Sequence, residues 1–107
     1  MLDFEKIKHD LEGNFQKEKA QDVDIDINVN VLSESNGKFS VSVHKQQCII
    51  TNENLSKADI TVGFANKNVM IDMFVNGANP MGLVMGGQMT FNGDMAKGKS
   101  LKGLFVK

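Results

Sequence analysis

Apolar residues along the chain change their spacing from helix-like to strand-like and back. Phe4, Ile7, Leu11 and Phe15 recur at steps of three and four among charged residues, the stripe of an amphipathic helix, which Gly13 and Asn14 weaken or end. From Val23 the period drops to two. Val23, Ile25, Ile27, Val29 and Val31 alternate with Asp22, Asp24, Asp26, Asn28 and Asn30, so one strand face is expected buried and the other wet. That alternation favours a largely antiparallel sheet with helices on one side only. "SESNG" then predicts a turn, and "KFSVSVHK" a second strand with Phe39, Val41 and Val43 inward. "QQCIIT" reads as a third strand in which Cys48 and Ile50 compete with Ile49 for the inner face. "ADITVGF" makes a fourth, with Ile60, Val62 and Phe64 inward.

The second half is patterned differently. "NVMIDMFVNG" is apolar around its whole circumference, broken only by Asp72, so this helix has to be covered on more than one side. Asn79 and Pro80 form an N-cap and first-turn pair, and Gly86 with Gly87 stops what they begin, which predicts a two-turn helix over 80–86 that depends on packing. "QMTFN" returns to period two with Met89 and Phe91 inward. After the "NG" turn, Asp94 caps a last helix expected to carry Leu101, Leu104 and Phe105 on one side and Lys97, Lys99 and Lys102 elsewhere, weakened by Gly98 and Gly103.

The 107 residues suit a single domain over 1–107, with one core and no repeat or linker. No apolar run approaches the roughly 20 residues of a membrane span. The first ten residues lack the apolar core of a secretory leader, and the single Cys48 allows no internal disulfide, so a reducing cytoplasm is expected. Charge is uneven: residues 1–60 hold seven lysines against eleven acids, and residues 61–107 five lysines against two. Arginine, Trp and Tyr are absent, which argues against specific nucleic-acid recognition.

Catalytic chemistry finds little support. Cys48, His44 and His9 are the only conceivable nucleophile set, yet His44 shares strand parity with outward-facing Lys38, Ser40 and Ser42, and His9 lies on the polar side of its helix. A solitary cysteine in a strand usually acts as a small buried apolar group. No spacing matches a zinc site or a phosphate loop, so neither metal nor cofactor is expected. Asp22, Asp24 and Asp26 share one face, read as a solvated strand surface.

Several phrases, in order, resemble the sterol carrier protein 2 family: "ADITV", an apolar helix ending "VNGANPM", "GGQMTFNGDM" and "SLKGLF", with "GKFSVSV" upstream in the place of the family's second strand. The resemblance implies an α+β fold, a five-stranded mainly antiparallel sheet with helices packed on one face. It also implies an apolar tunnel between sheet and helices that takes fatty acids, acyl-CoA, phospholipid or sterol-like molecules without chemistry on them. Peroxisomal members end in a receptor-read tripeptide; this chain ends Phe-Val-Lys, so peroxisomal import is not expected.

Six of the seven methionines fall between positions 70 and 95, where the family places its tunnel. Unbranched, polarizable thioethers repack around ligands of different shape. The expected wall is Met70, Met73, Met81, Met85 and Met89 with Phe74, Val84 and Phe91, closed by Leu101, Leu104 and Phe105. The expected partners are a small apolar lipid and, through the lysines of the last helix, transient contact with an anionic membrane surface, with the protein a monomer or weak dimer. The competing reading is a protein interaction or dimerisation module, in which the same apolar surface is covered by a partner and no ligand cavity exists.

Overall fold

The computed structural model describes residues 1–101 and 103–106. Five strands, β1 (Ile25–Val31), β2 (Lys38–His44), β3 (Gln47–Thr51), β4 (Ile60–Phe64) and β5 (Met89–Gly93), form one sheet in the order β3-β2-β1-β4-β5. Helices α1 (Phe4–Asn14), α2 (Lys67–Phe74), α3 (Pro80–Met85) and α4 (Met95–Lys99) complete an α+β architecture. Three strand pairs are antiparallel; β1 and β4, side by side at the centre, run parallel. The register carries the alternation across the sheet: Phe39 pairs with Val29, Val29 with Val62, and Val62 with Phe91. These side chains therefore share the inner face.

Ile7 and Leu11 of α1 bury their stripe on that face, with the Phe4 ring 6.4 Å from Phe39. Asp3 caps α1 by accepting from the Lys6 N–H, and Asn66 caps α2 by accepting from Val69. As its all-round pattern demands, α2 is covered broadly: Val69, Met70, Met73 and Phe74 are buried. The middle of the core is a chain of rings. Phe64 lies 5.9 Å from Phe74, Phe74 meets Phe105 edge-on at 5.7 Å, and Phe105 lies 5.6 Å from Phe15.

The structure departs from the sequence reading in three places and decides the inner face of β3, which the pattern left open. The first strand starts at Ile25 because a 3-10 turn over Lys17–Ala20 occupies the approach, with the Val23 N–H bonded to Ala20. On β3, Cys48 and Ile50 take the inner face and Ile49 is exposed, since Cys48 pairs with inward Val43. The outer face is not uniformly wet. The segment between β3 and β4 crosses it, and buried Asn28 binds the Leu55 backbone twice, accepting at 2.7 Å and donating at 3.0 Å.

The last helix is also shorter than its apolar spacing suggests. It ends at Lys99, after which Ser100, Leu101 and Leu104 donate to carbonyls three residues back, the pattern of successive turns. Gly103 sits at φ +85°, outside helical space. Leu101, Leu104 and Phe105 are nevertheless buried, delivered to the core by turns. The part of the expected helix at Lys102 lies outside the described residues. No helix among the described residues is long and apolar enough to cross a membrane.

Candidate functional site

Past the ring cluster, towards the β5 edge, the inner face is not filled. A cavity of about 540 Å³ lies there, floored by Val62 of β4 and by Met89, Phe91, Asn92 and Gly93 of β5. Met73 of α2 and Leu101 form its deep wall, and Gly77, Ala78, Asn79 and Pro80 carry the chain around one side. Met81 and Val84 of α3 stand on one bank of its mouth, Met95, Gly98 and Lys99 of α4 on the other. Lys99 is the sole charged side chain among these lining residues. The volume falls within the roughly 300–1,000 Å³ of small-molecule sites, and the lining is mainly apolar with few polar groups, as such sites are.

Local chemistry sets up each bank. The Asn79 carboxamide oxygen accepts from the Met81 N–H at 3.0 Å, starting α3 directly after Pro80. Asp94 does the same for α4, accepting from Ala96 at 2.9 Å and Lys97 at 3.2 Å. Between them β5 turns at Gly93, whose φ of +127° and close approach to the Asp59 carbonyl, 2.3 Å from where a Cβ would stand, admit only glycine. Asp59 then ties α4 to the sheet. One carboxylate oxygen accepts from the Asp26 N–H at 2.8 Å, the other from Lys97 Nζ at 3.1 Å. The Asp26 N–H holds this carboxyl below its usual range, partial burial opposes it, and Lys97 adds to the lowering.

Of the residues expected to meet a ligand, Met73, Met81, Val84, Met89, Phe91 and Leu101 converge on the cavity. Met70, Phe74, Leu104 and Phe105 lie instead in the packed core, and Met85 points outward, 84% exposed. Sequence reasoning passed over Val62, Gly93, Met95 and the 77–80 segment. Val62 was legible from strand parity, since it pairs with Phe91; Met95 carries no periodic signal.

The groups weighed for catalysis are placed elsewhere. The Cys48 thiol is pushed up to about 12, first by burial and then by the charge of Glu12, which keeps it protonated and poorly nucleophilic. His44, on the outer face, contacts Asp24 through Nδ1 and Asp26 through Nε2 at 2.8 Å. Among the described residues no group of three or more His, Cys, Asp or Glu side chains is arranged to hold a metal ion.

Helices over one face of the sheet thus leave an apolar hollow against β4 and β5. The profile of the SCP-2 sterol transfer family matches residues 4–106. The chain belongs to the SCP-2 family. As an SCP-2 chain it is a domain of the lipid-binding and lipid-transfer kind. No curated protein matches it by sequence.

Solved structures share the SCP-2 fold at low identity. Sterol carrier protein 2 from Yarrowia lipolytica, in its apo form, superposes with a TM-score of 0.66 at 17% identity, covering 98% of this chain and 96% of that one. Palmitated SCP2L2 from Aedes aegypti gives 0.63 at 15% identity, covering 94% and 91%. The stereoselective inverting sec-alkylsulfatase Pisa1 from Pseudomonas sp. gives 0.76 at 17% identity; 91% of the SCP-2 chain matches there but spans only 15% of the sulfatase. At such identities the likeness is one of fold.

Proposed function

We propose that the protein is a non-enzymatic carrier of apolar lipid-like ligands, its cavity taking an acyl chain between β4–β5 and α2–α4, with a cytoplasmic site of action. The observation that supports this most is the 540 Å³ hollow, with four methionines around it, Met73, Met81, Met89 and Met95. Thioethers on several sides let one cavity close around chains of different length and shape. The palmitate named with the Aedes aegypti relative is consistent with such an occupant.

Magnitudes set the expected behaviour. Removing about ten methylenes from water gains on the order of 8 kcal/mol, of which at least about 4 kcal/mol is lost to ordering. The net of about 4 kcal/mol corresponds to a Kd of about 1 mM for a ten-methylene chain, and each further buried methylene tightens it by about 0.8 kcal/mol. A bilayer interior is as apolar as the cavity, so transfer from membrane to protein has little net driving force, and the protein shields its cargo in transit without concentrating it.

The test is displacement of a fluorescent fatty acid from the wild type and from Met81→Glu. Met81 is half-exposed at the mouth, so the variant can fold, while its carboxylate is carried to the apolar lining. The reading expects wild-type binding and at least about tenfold weaker binding in the variant, because an unpaired charge resists desolvation. Equal displacement in both would remove the cavity from consideration. A ligand-free dimer that survives dilution in native mass spectrometry would favour the interaction module.

A further inference from the structure

We infer that α3 is the element by which this protein docks on a lipid bilayer, its exposed methionines entering the interface while the cavity mouth beside them faces the acyl chains. The inference rests on the carrier reading of the cavity and adds the surface through which cargo enters and leaves.

The first observation is one of charge: positions 73–93 contain no Asp, Glu, Lys, Arg or His. The second is exposure. No residue of α3 is buried, and Met81, Val84 and Met85 are 51%, 36% and 84% exposed. Spaced by three and four, they form one stripe along a helix. A two-turn helix gains its stability from packing; here Leu83 packs against the core while Met81, Val84 and Met85 reach solvent.

The third observation joins this stripe to the cavity. Met81 and Val84 line the cavity while reaching solvent, and Met95, 52% exposed, does so from α4 opposite. The exposed apolar surface is therefore the rim of the mouth. A lipid leaving a bilayer through a rim seated in the interface never presents its chain to water, whose avoidance is the main energetic demand of transfer. Lys99 on the same rim is exposed and suits the headgroup level, since a lysine can lay its stem along apolar surface and keep its ammonium in water. The nearby carboxylates are partnered: Asp94 accepts from the Ala96 and Lys97 N–H groups, and Asp59 accepts from Lys97 Nζ.

A second copy of the chain is a poorer occupant. One stripe on a six-residue helix offers far less than the roughly 800 Å² per partner of a stable interface. Nor does apolar exposure extend across the sheet to Ile49, which stands on β3 at the opposite edge. A bilayer sets no such minimum area.

The chain has no tryptophan, so Met85→Trp places a single indole on the stripe. With vesicles of phosphatidylcholine and phosphatidylglycerol, its emission is expected to shift to the blue and to be quenched by brominated acyl chains. Unchanged emission would overturn the inference. Met85→Glu is expected to co-sediment with the same vesicles about tenfold more weakly, while displacing fluorescent fatty acid in solution as the wild type does. Co-sedimentation equal to wild type would overturn it, as would a lipid-free dimer that Met85→Glu splits into monomers. Displacement is read without vesicles and insertion without ligand, so failure of the carrier reading and failure of the docking surface are separable.

Discussion

Gly98 of α4 rests directly on the ring of Phe91: a Cβ built at Gly98 would stand 2.7 Å from Phe91 Cζ. Both residues line the cavity, so this contact sets how far α4 lies from the floor. Gly98→Ala therefore has to displace the ring within the cavity wall. Overpacking costs about 1–3 kcal/mol, and the gain in helix propensity returns about 1 kcal/mol. A small loss in melting temperature is expected, together with a several-fold loss in fatty acid affinity. Combining it with Phe91→Leu, which withdraws the ring, is expected to restore much of that affinity.

Asp59 holds the far bank of the cavity to the sheet, and its contribution depends on pH. Its folded-state pKa lies below the ordinary value, chiefly because the Asp26 N–H donates to the carboxylate, so the stabilisation is present above the unfolded pKa. It is lost as pH falls through the folded value. Asp59→Asn is expected to lower stability at neutral pH by about 1 kcal/mol, the modest end for a partly solvated charged hydrogen bond. Urea denaturation at neutral and strongly acidic pH checks this: the difference from wild type should vanish in acid.

Cys48 provides a probe of the closed core beneath α1. With its thiol pushed up to about 12 by burial and then by Glu12, the native protein is expected to react with iodoacetamide far more slowly than the urea-unfolded chain near pH 8. Mass spectrometry of the alkylated fraction over time measures it. Equal rates in both states would show that β3 opens readily from α1.

Period-two runs on β1, β2 and β4 were legible because strict alternation has one physical cause, a sheet with one buried face. The parallel pairing of β1 with β4 was not, since alternation is the same for either direction of the neighbour. The helix expected through Phe105 failed for a related reason. Leu101, Leu104 and Phe105 have helical spacing, but Gly98 and Gly103 lower the cost of turns that bury the same side chains.

The candidate site was half legible. Methionine content located the region, but spacing along α2 does not separate Met73, which borders the hollow, from Met70 and Phe74, which fill solid core. That division follows from where Phe105 arrives, and its path depends on turns distant in sequence. Met85 illustrates the same limit from outside: its spacing from Met81 and Met89 is regular, yet it faces solvent.

The seven methionines report on this division residue by residue. Methyl NMR of protein carrying 13C-labelled methionine, titrated with palmitate, tests the account most directly. Shifts are expected for Met73, Met81, Met89 and Met95, which border the cavity, with little change at Met1, in the core at Met70, or at outward-facing Met85. Palmitate that leaves the four cavity methyls in place, or moves only Met1 and Met85, would contradict an acyl chain lying between β4–β5 and the helices.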